Sequence, residues 1–140
     1  MASEAEIQAW VADYLRLQYP KVLFHSDFGS GIKLTPGQAA KQKRQNGGRR
    51  AWPDMFIAQP KISRTKDNQI FGIEYYGMFL ELKKEGTRLM KKDGTWASEH
   101  IAEQAEVLDR LSKNGYYAKF AVGFDEAKEL IERYLGEPNE

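Results

Sequence analysis

Cysteine is absent from the 140 residues, which excludes disulfide staples and thiolate zinc sites and fits a reducing compartment. Long apolar runs are missing as well: no stretch approaches the roughly 20 residues that a membrane-spanning helix needs. Met1-Ala2-Ser3-Glu4 has neither the basic nor the apolar region of a secretory signal. These absences lead to the expectation of a soluble, cytoplasmic protein with no membrane partner. Histidine occurs only as His25 and His100, too far apart for a metal-ligand spacing, and both are expected in structural or surface roles. A chain of this length has room for one domain with a working core, residues 1–140.

Net charge is nearly absent too, at +1, but its distribution is uneven. From Lys33 to Lys92 there are 14 Lys and Arg against 5 Asp and Glu, whereas the flanks hold 7 against 15. The basic middle suits a polyanion, since phosphate contacts supply most of the affinity for nucleic acid. The plainer alternative is that folding mixes the two signs into an ordinary solvated surface.

Periodicity and punctuation give an order of elements. Ser3 and Glu6 are spaced as a capping box, and Ile7, Trp10, Val11, Tyr14 and Leu15 follow helical spacing, so a helix is predicted from Glu4 to Leu17. Val22 to His25 reads as a short strand, Ser26 to Gly31 as a loop, and Thr35-Pro36 opens a short basic helix ending at Gln45. Met55 to Ala58 is a second strand, and Lys66-Asp67-Asn68 the tip of a hairpin between Ile62 and Ile70 to Ile73. Gly77 to Lys83 is a further strand, followed by a basic loop from Lys84 to Ala97 with a turn at Lys92-Asp93-Gly94. Ser98 caps a helix with Ile101, Ala105, Leu108 and Leu111 on one face, closed by Asn114-Gly115. A strand from Tyr116 to Val122, a helix from Asp125 to Leu135 and a frayed tail from Gly136 complete the chain. Helices alternating with strands predict an α/β fold with a central mixed β-sheet flanked by helices.

The chemistry concentrates on the Gly77–Lys83 strand. Alternation sends Met78, Leu80 and Leu82 into a core and puts Phe79, Glu81 and Lys83 on the other face, so an acid and an amine stand side by side. Asp54 stands at the mouth of the Met55 strand and Gln104 early in the following helix. Two carboxylates suit a hard cation, and a lysine beside them suits phosphate charge or an attacking water. The motif is cheap by itself: Glu126-Ala127-Lys128 repeats it, but on a helix, where positions two apart diverge. A charged edge strand is the competing explanation of Glu81 and Lys83, as a solvent-facing helix turn is of Gln104. Trp10 and Trp96 are expected to pack, whereas Trp52 flanks the candidate site.

Pro53-Asp54, Phe79-Leu80-Glu81-Leu82-Lys83, Gln104 and the Gly115-Tyr116-Tyr117 strand, in that order, resemble the virus-type replication-repair nuclease (VRR-NUC) branch of the PD-(D/E)xK superfamily. The resemblance covers most of Arg49 to Leu135. It implies a restriction-endonuclease-like core, Mg2+ or Mn2+, and cleavage of DNA phosphodiester bonds. Stand-alone viral members of the family resemble Holliday-junction resolvases and act as homodimers, which implies branched DNA as partner and a viral or prophage origin. Position by position, Asp54 and Glu81 match the metal ligands, joined by the Leu82 backbone carbonyl, while Lys83 matches the catalytic lysine and Gln104 the helix glutamine. For the acid usual in the first helix, Gln8 aligns best by spacing and Glu4 is the nearer carboxylate. Lys41, Lys43, Arg44, Arg49, Arg50, Lys84 and Arg88 are the candidate DNA-binding residues. A flap- or end-directed nuclease and a DNA-binding module without turnover are the alternatives.

Overall fold

The computed structural model describes residues 1–27, 33–48 and 51–138. Helix α1, Glu4–Gln18, starts where the capping box predicts: the Glu6 amide donates to Ser3 Oγ and the Ser3 amide to Glu6 Oε1. Thr35 and Gln38 make the same reciprocal pair at the start of α2, Pro36–Gln45. Strand β1, Phe24–Ser26, lies between these helices, and β2, Met55–Ile57, follows them. Then come β3, Lys61–Arg64, β4, Ile70–Tyr75, and β5, Met78–Lys83. Helix α3, Glu99–Lys113, strand β6, Tyr117–Val122, and helix α4, Phe124–Leu135, close the fold.

The sheet is mixed, in the order β1-β2-β5-β6. Its β1–β2 and β2–β5 pairs are antiparallel and its β5–β6 pair is parallel. Strand β5 is therefore central, which removes the edge-strand explanation of Glu81 and Lys83. Strands β3 and β4 form a separate two-stranded sheet, with Phe71 81% exposed near its tip. That differs from a simple succession of strands in one sheet: the turn is where the sequence places it, but the hairpin leaves the main layer.

Helices cover both faces. On one, Ile7, Val11 and Leu15 of α1 and Ala127 and Ile131 of α4 pack on Met55, Ile57, Met78, Leu80 and Leu82. Each fully buried Leu or Ile there contributes about 1.5–3 kcal/mol. On the other, Val107, Leu108 and Leu111 of α3 pack on Ala118, with Phe79, Tyr116 and Phe120 at the margin. Trp10, assigned by periodicity to the apolar stripe of α1, is 46% exposed and meets Phe124 edge-on, because it stands at the border of the stripe. Among the described residues no helix is long and apolar enough to cross a membrane.

One glycine fixes the entry to β5. A Cβ on Gly77 would stand 2.8 Å from Phe56 Cε1 and 3.1 Å from the Ile57 carbonyl oxygen, so the bare backbone is what lets the strand close on β2. Gly77→Ala is expected to lower unfolding free energy by about 1–3 kcal/mol. Gly37→Ala, with nothing within 4 Å of the new methyl, is expected not to lower it. Paired urea titrations check this, and equal behaviour of the two variants contradicts it.

Candidate active site

The register of the sheet puts the two acids opposite each other. Met55 faces Leu80 across β2 and β5, and one step further the same register sets Asp54 against Glu81. Their carboxyl groups hydrogen-bond to each other. The second Asp54 oxygen, Oδ2, accepts the Leu82 amide at 2.7 Å, so the backbone of β5 itself aims this carboxylate. A strand residue directs its N–H and C=O to the same side, which turns the Leu82 carbonyl toward the Asp54 edge.

Glu81 is 3% exposed and Lys83 6%, and they share the strand face that α3 covers. Gln104 reaches in from α3, itself 6% exposed, and its Nε2 donates to Glu81 Oε1 at 2.9 Å. It is a buried side chain and not an exposed polar residue. The other end of its amide, Oε1, is buried without a partner among the described residues. His100, one turn earlier, is exposed and brings its Nε2 to 3.2 Å from Gln104 Nε2, a hydrogen bond when the imidazole proton is on Nδ1.

Burial first, then the hydrogen bond and the repulsion from Asp54, push the Glu81 carboxyl up to about 11; Lys83 pulls weakly the other way. A buried carboxyl held against a second carboxyl ionises readily only when a cation replaces its proton. The pair therefore fits a small divalent ion with oxygen ligands, and the unpartnered Gln104 oxygen leaves an acceptor beside it. No three His, Asp or Glu side chains gather tightly enough among the described residues to hold a metal by themselves. Two carboxylates and a carbonyl, with water completing the shell, is a donor set of the magnesium type.

The first-helix candidates separate. Gln8 is buried, but its Nε2 donates to Ser26 Oγ at 2.6 Å and to the Asp27 carbonyl at 3.0 Å, tying α1 to the end of β1. Glu4 is exposed and acts on Glu81 through its charge. Asp27 was not singled out by the sequence. Its amide donates to the Asp54 carbonyl at 2.8 Å, which extends the β1–β2 register and sets Asp27, Asp54 and Glu81 in one cross-strand row. The only signal for it was the strand end at His25, and that needs the pairing to be read.

Among the described residues, the candidate basic side chains fall on α2 and on the segment after β5. Lys84 and Arg88 are exposed just beyond Lys83, Lys41 and Arg44 are exposed on α2, and Lys43 is half-buried there. Arg49 and Arg50 lie outside the described residues, as does most of the Ser26–Gly31 loop and the end of the tail. Trp96, expected to pack, meets the Phe120 ring but is 37% exposed, so it packs on one side only.

No family model matches the sequence, and no curated protein matches it. Among solved structures, a VRR_NUC domain protein is similar at 26% identity and a TM-score of 0.64, over 99% of this chain and 92% of that one. The likeness extends over nearly the whole chain. The chain has the fold of that VRR-NUC domain, with a restriction-endonuclease-like core.

Proposed function

We propose that the protein is a divalent-metal-dependent endonuclease that hydrolyses DNA phosphodiester bonds, acts on branched DNA and works as a homodimer. The reading is carried by the Asp54–Glu81 carboxyl pair, in which half-buried Asp54 meets Glu81, buried together with Lys83 and Gln104. Branched DNA and the homodimer follow from the resemblance to junction-resolving members of the family.

Asp54, Glu81 and the Leu82 carbonyl are the residues that would hold Mg2+ or Mn2+. When bound, the cation supplies Lewis-acid stabilisation of phosphate charge and a more acidic water. Lys83 stands beside Glu81 on the strand and offsets the charge that accumulates on the phosphorus oxygens. Gln104 Nε2 fixes the Glu81 carboxylate, leaving Oε1 to accept from the attacking water or from Lys83. The Leu82 amide locks one Asp54 oxygen in place. Lys84 and Arg88, exposed directly after the site, meet the DNA backbone together with Lys41, Lys43, Arg44, Arg49 and Arg50.

Lys83→Ala is expected to cut the rate of Mg2+- or Mn2+-dependent cleavage by about 10²–10³-fold. Branched, flapped and linear DNA compared side by side should rank in that order. Equal cleavage by parent and variant rejects the catalytic assignment, and binding without cleavage by the parent leaves a DNA-binding module.

The Glu81 proton makes a second prediction. Folding raises this carboxyl from 4.5 to about 11. The folded state thus holds the proton more tightly, and the associated stability is complete below about pH 4.5 and lost as pH rises toward 11. Glu81→Gln removes that titration. In EDTA the variant should exceed the parent in Tm by several degrees near pH 8 and approach it near pH 5. A difference that shrinks with rising pH contradicts the assignment.

A further inference from the structure

The active-site face of the sheet is covered unequally. Helix α3 packs on β6 and the margin of β5. Across β1, β2 and β5 the register lines up His25, Phe56 and Phe79 in one row on that same face, with His25 exposed and the two rings half-buried. The Phe56 and Phe79 rings stack at 4.5 Å between centroids.

Trp52 sits at the end of this aromatic row, two residues before Asp54. Its ring centroid lies 6.2 Å from that of Phe79, tilted by 48°, and the residue is 38% exposed although Ala51 and Pro53 on either side are buried. The backbone is thus held fixed on both sides while the indole is left in the open. It forms part of the wall of a cavity of about 790 Å³ whose other wall is α2, with Lys43, Arg44 and Asp27 also at the lining. Helix α2 buries none of its residues. A polar helix that stands off from the sheet, two cations and one exposed indole are a poor core and a good receptacle for a flat, anionic ligand.

We propose that this cavity receives an unpaired nucleotide next to the scissile phosphate, its base stacked on Trp52 and its phosphate met by Lys43 and Arg44. The proposal rests on the nuclease reading and narrows its substrate to DNA that is not fully paired at the cleavage point. Every base offers a π-face, so the selection is for an unstacked nucleotide and not for a sequence. Paired bases keep their faces on each other and offer Trp52 nothing, whereas the crossing point of a branch, a bulge or the root of a flap frees one base at little cost. Asp27 both lines this cavity and belongs to the cross-strand row with Asp54 and Glu81, which sets the cavity next to the carboxyl pair.

The test is binding in EDTA, where no cleavage intervenes, to a duplex with a single 2-aminopurine bulge and to the same duplex with the 2-aminopurine paired. The parent should quench the bulged probe and leave the paired probe nearly unchanged. Trp52→Ala should abolish that quenching and weaken binding of the bulged probe about 10-fold, with less than a twofold effect on the paired one. Trp52→Phe should restore part of both. Equal loss on the two probes, or quenching that survives Trp52→Ala, overturns the proposal. Should the alanine variant misfold, Lys43→Ala with Arg44→Ala on the non-buried α2 must weaken bulge binding more than duplex binding, and equal weakening overturns it as well. Metal-dependent cleavage is measured in parallel on the parent: cleavage with no bulge preference removes this proposal alone, and no cleavage of any DNA removes the nuclease reading with it.

Discussion

Two acids facing each other across a strand pair, Glu81 buried and Asp54 half-buried, impose a requirement that the surrounding structure answers. Burial and the neighbouring Asp54 push the Glu81 carboxyl well above the ordinary carboxylate range, which favours a proton on Glu81 at neutral pH. Lys83 contributes charge from the same strand face, and Gln104 a hydrogen bond from the helix above. A buried acid held neutral costs stability at neutral pH, and the proposed cation, by replacing the proton, would recover that cost as binding energy.

The fold serves that arrangement by making β5 central. Met78, Leu80 and Leu82 are locked into the α1–α4 side, so Phe79, Glu81 and Lys83 have no freedom to face anything but α3. A one-residue slip would exchange the two sets and bury the charges in the larger core. Gly77 secures the register at one end by admitting Phe56, and the Leu82 amide secures Asp54 at the other. Precision at the site thus derives from the tightest part of the sheet, while α2 and the exposed β3–β4 hairpin lie outside it.

Much of this was legible in the residues. Alternation along Gly77–Lys83 gave the correct faces, caps at Ser3 and Ser98 gave the helix starts, and Pro53-Asp54 before an apolar run gave the second acid. What stayed hidden was whatever depends on partners distant in the chain. An acid, a leucine and a lysine look the same on an edge strand and a central one, and only the pairing of β5 with both β2 and β6 separates them. Gln104 and Gln8 are polar residues whose burial is decided by what lies across from them, the Glu81 carboxylate in one case and the end of β1 in the other. Asp27 enters the row of acids only through the β1–β2 register. The hairpin from Lys61 to Tyr75 was visible as a turn between two strands, but its departure from the main sheet was not, since local alternation carries no information on which sheet a strand joins.

The central claim is that a divalent cation and the Glu81 proton compete for one place between two carboxyl groups. Calorimetric titration of Mn2+ near pH 7, in buffers of different ionisation enthalpy, measures both binding and the protons it displaces. The expected result is saturable binding accompanied by release of about one proton, with both lost in Asp54→Asn. Binding that releases no proton, or that persists unchanged in Asp54→Asn, would contradict it.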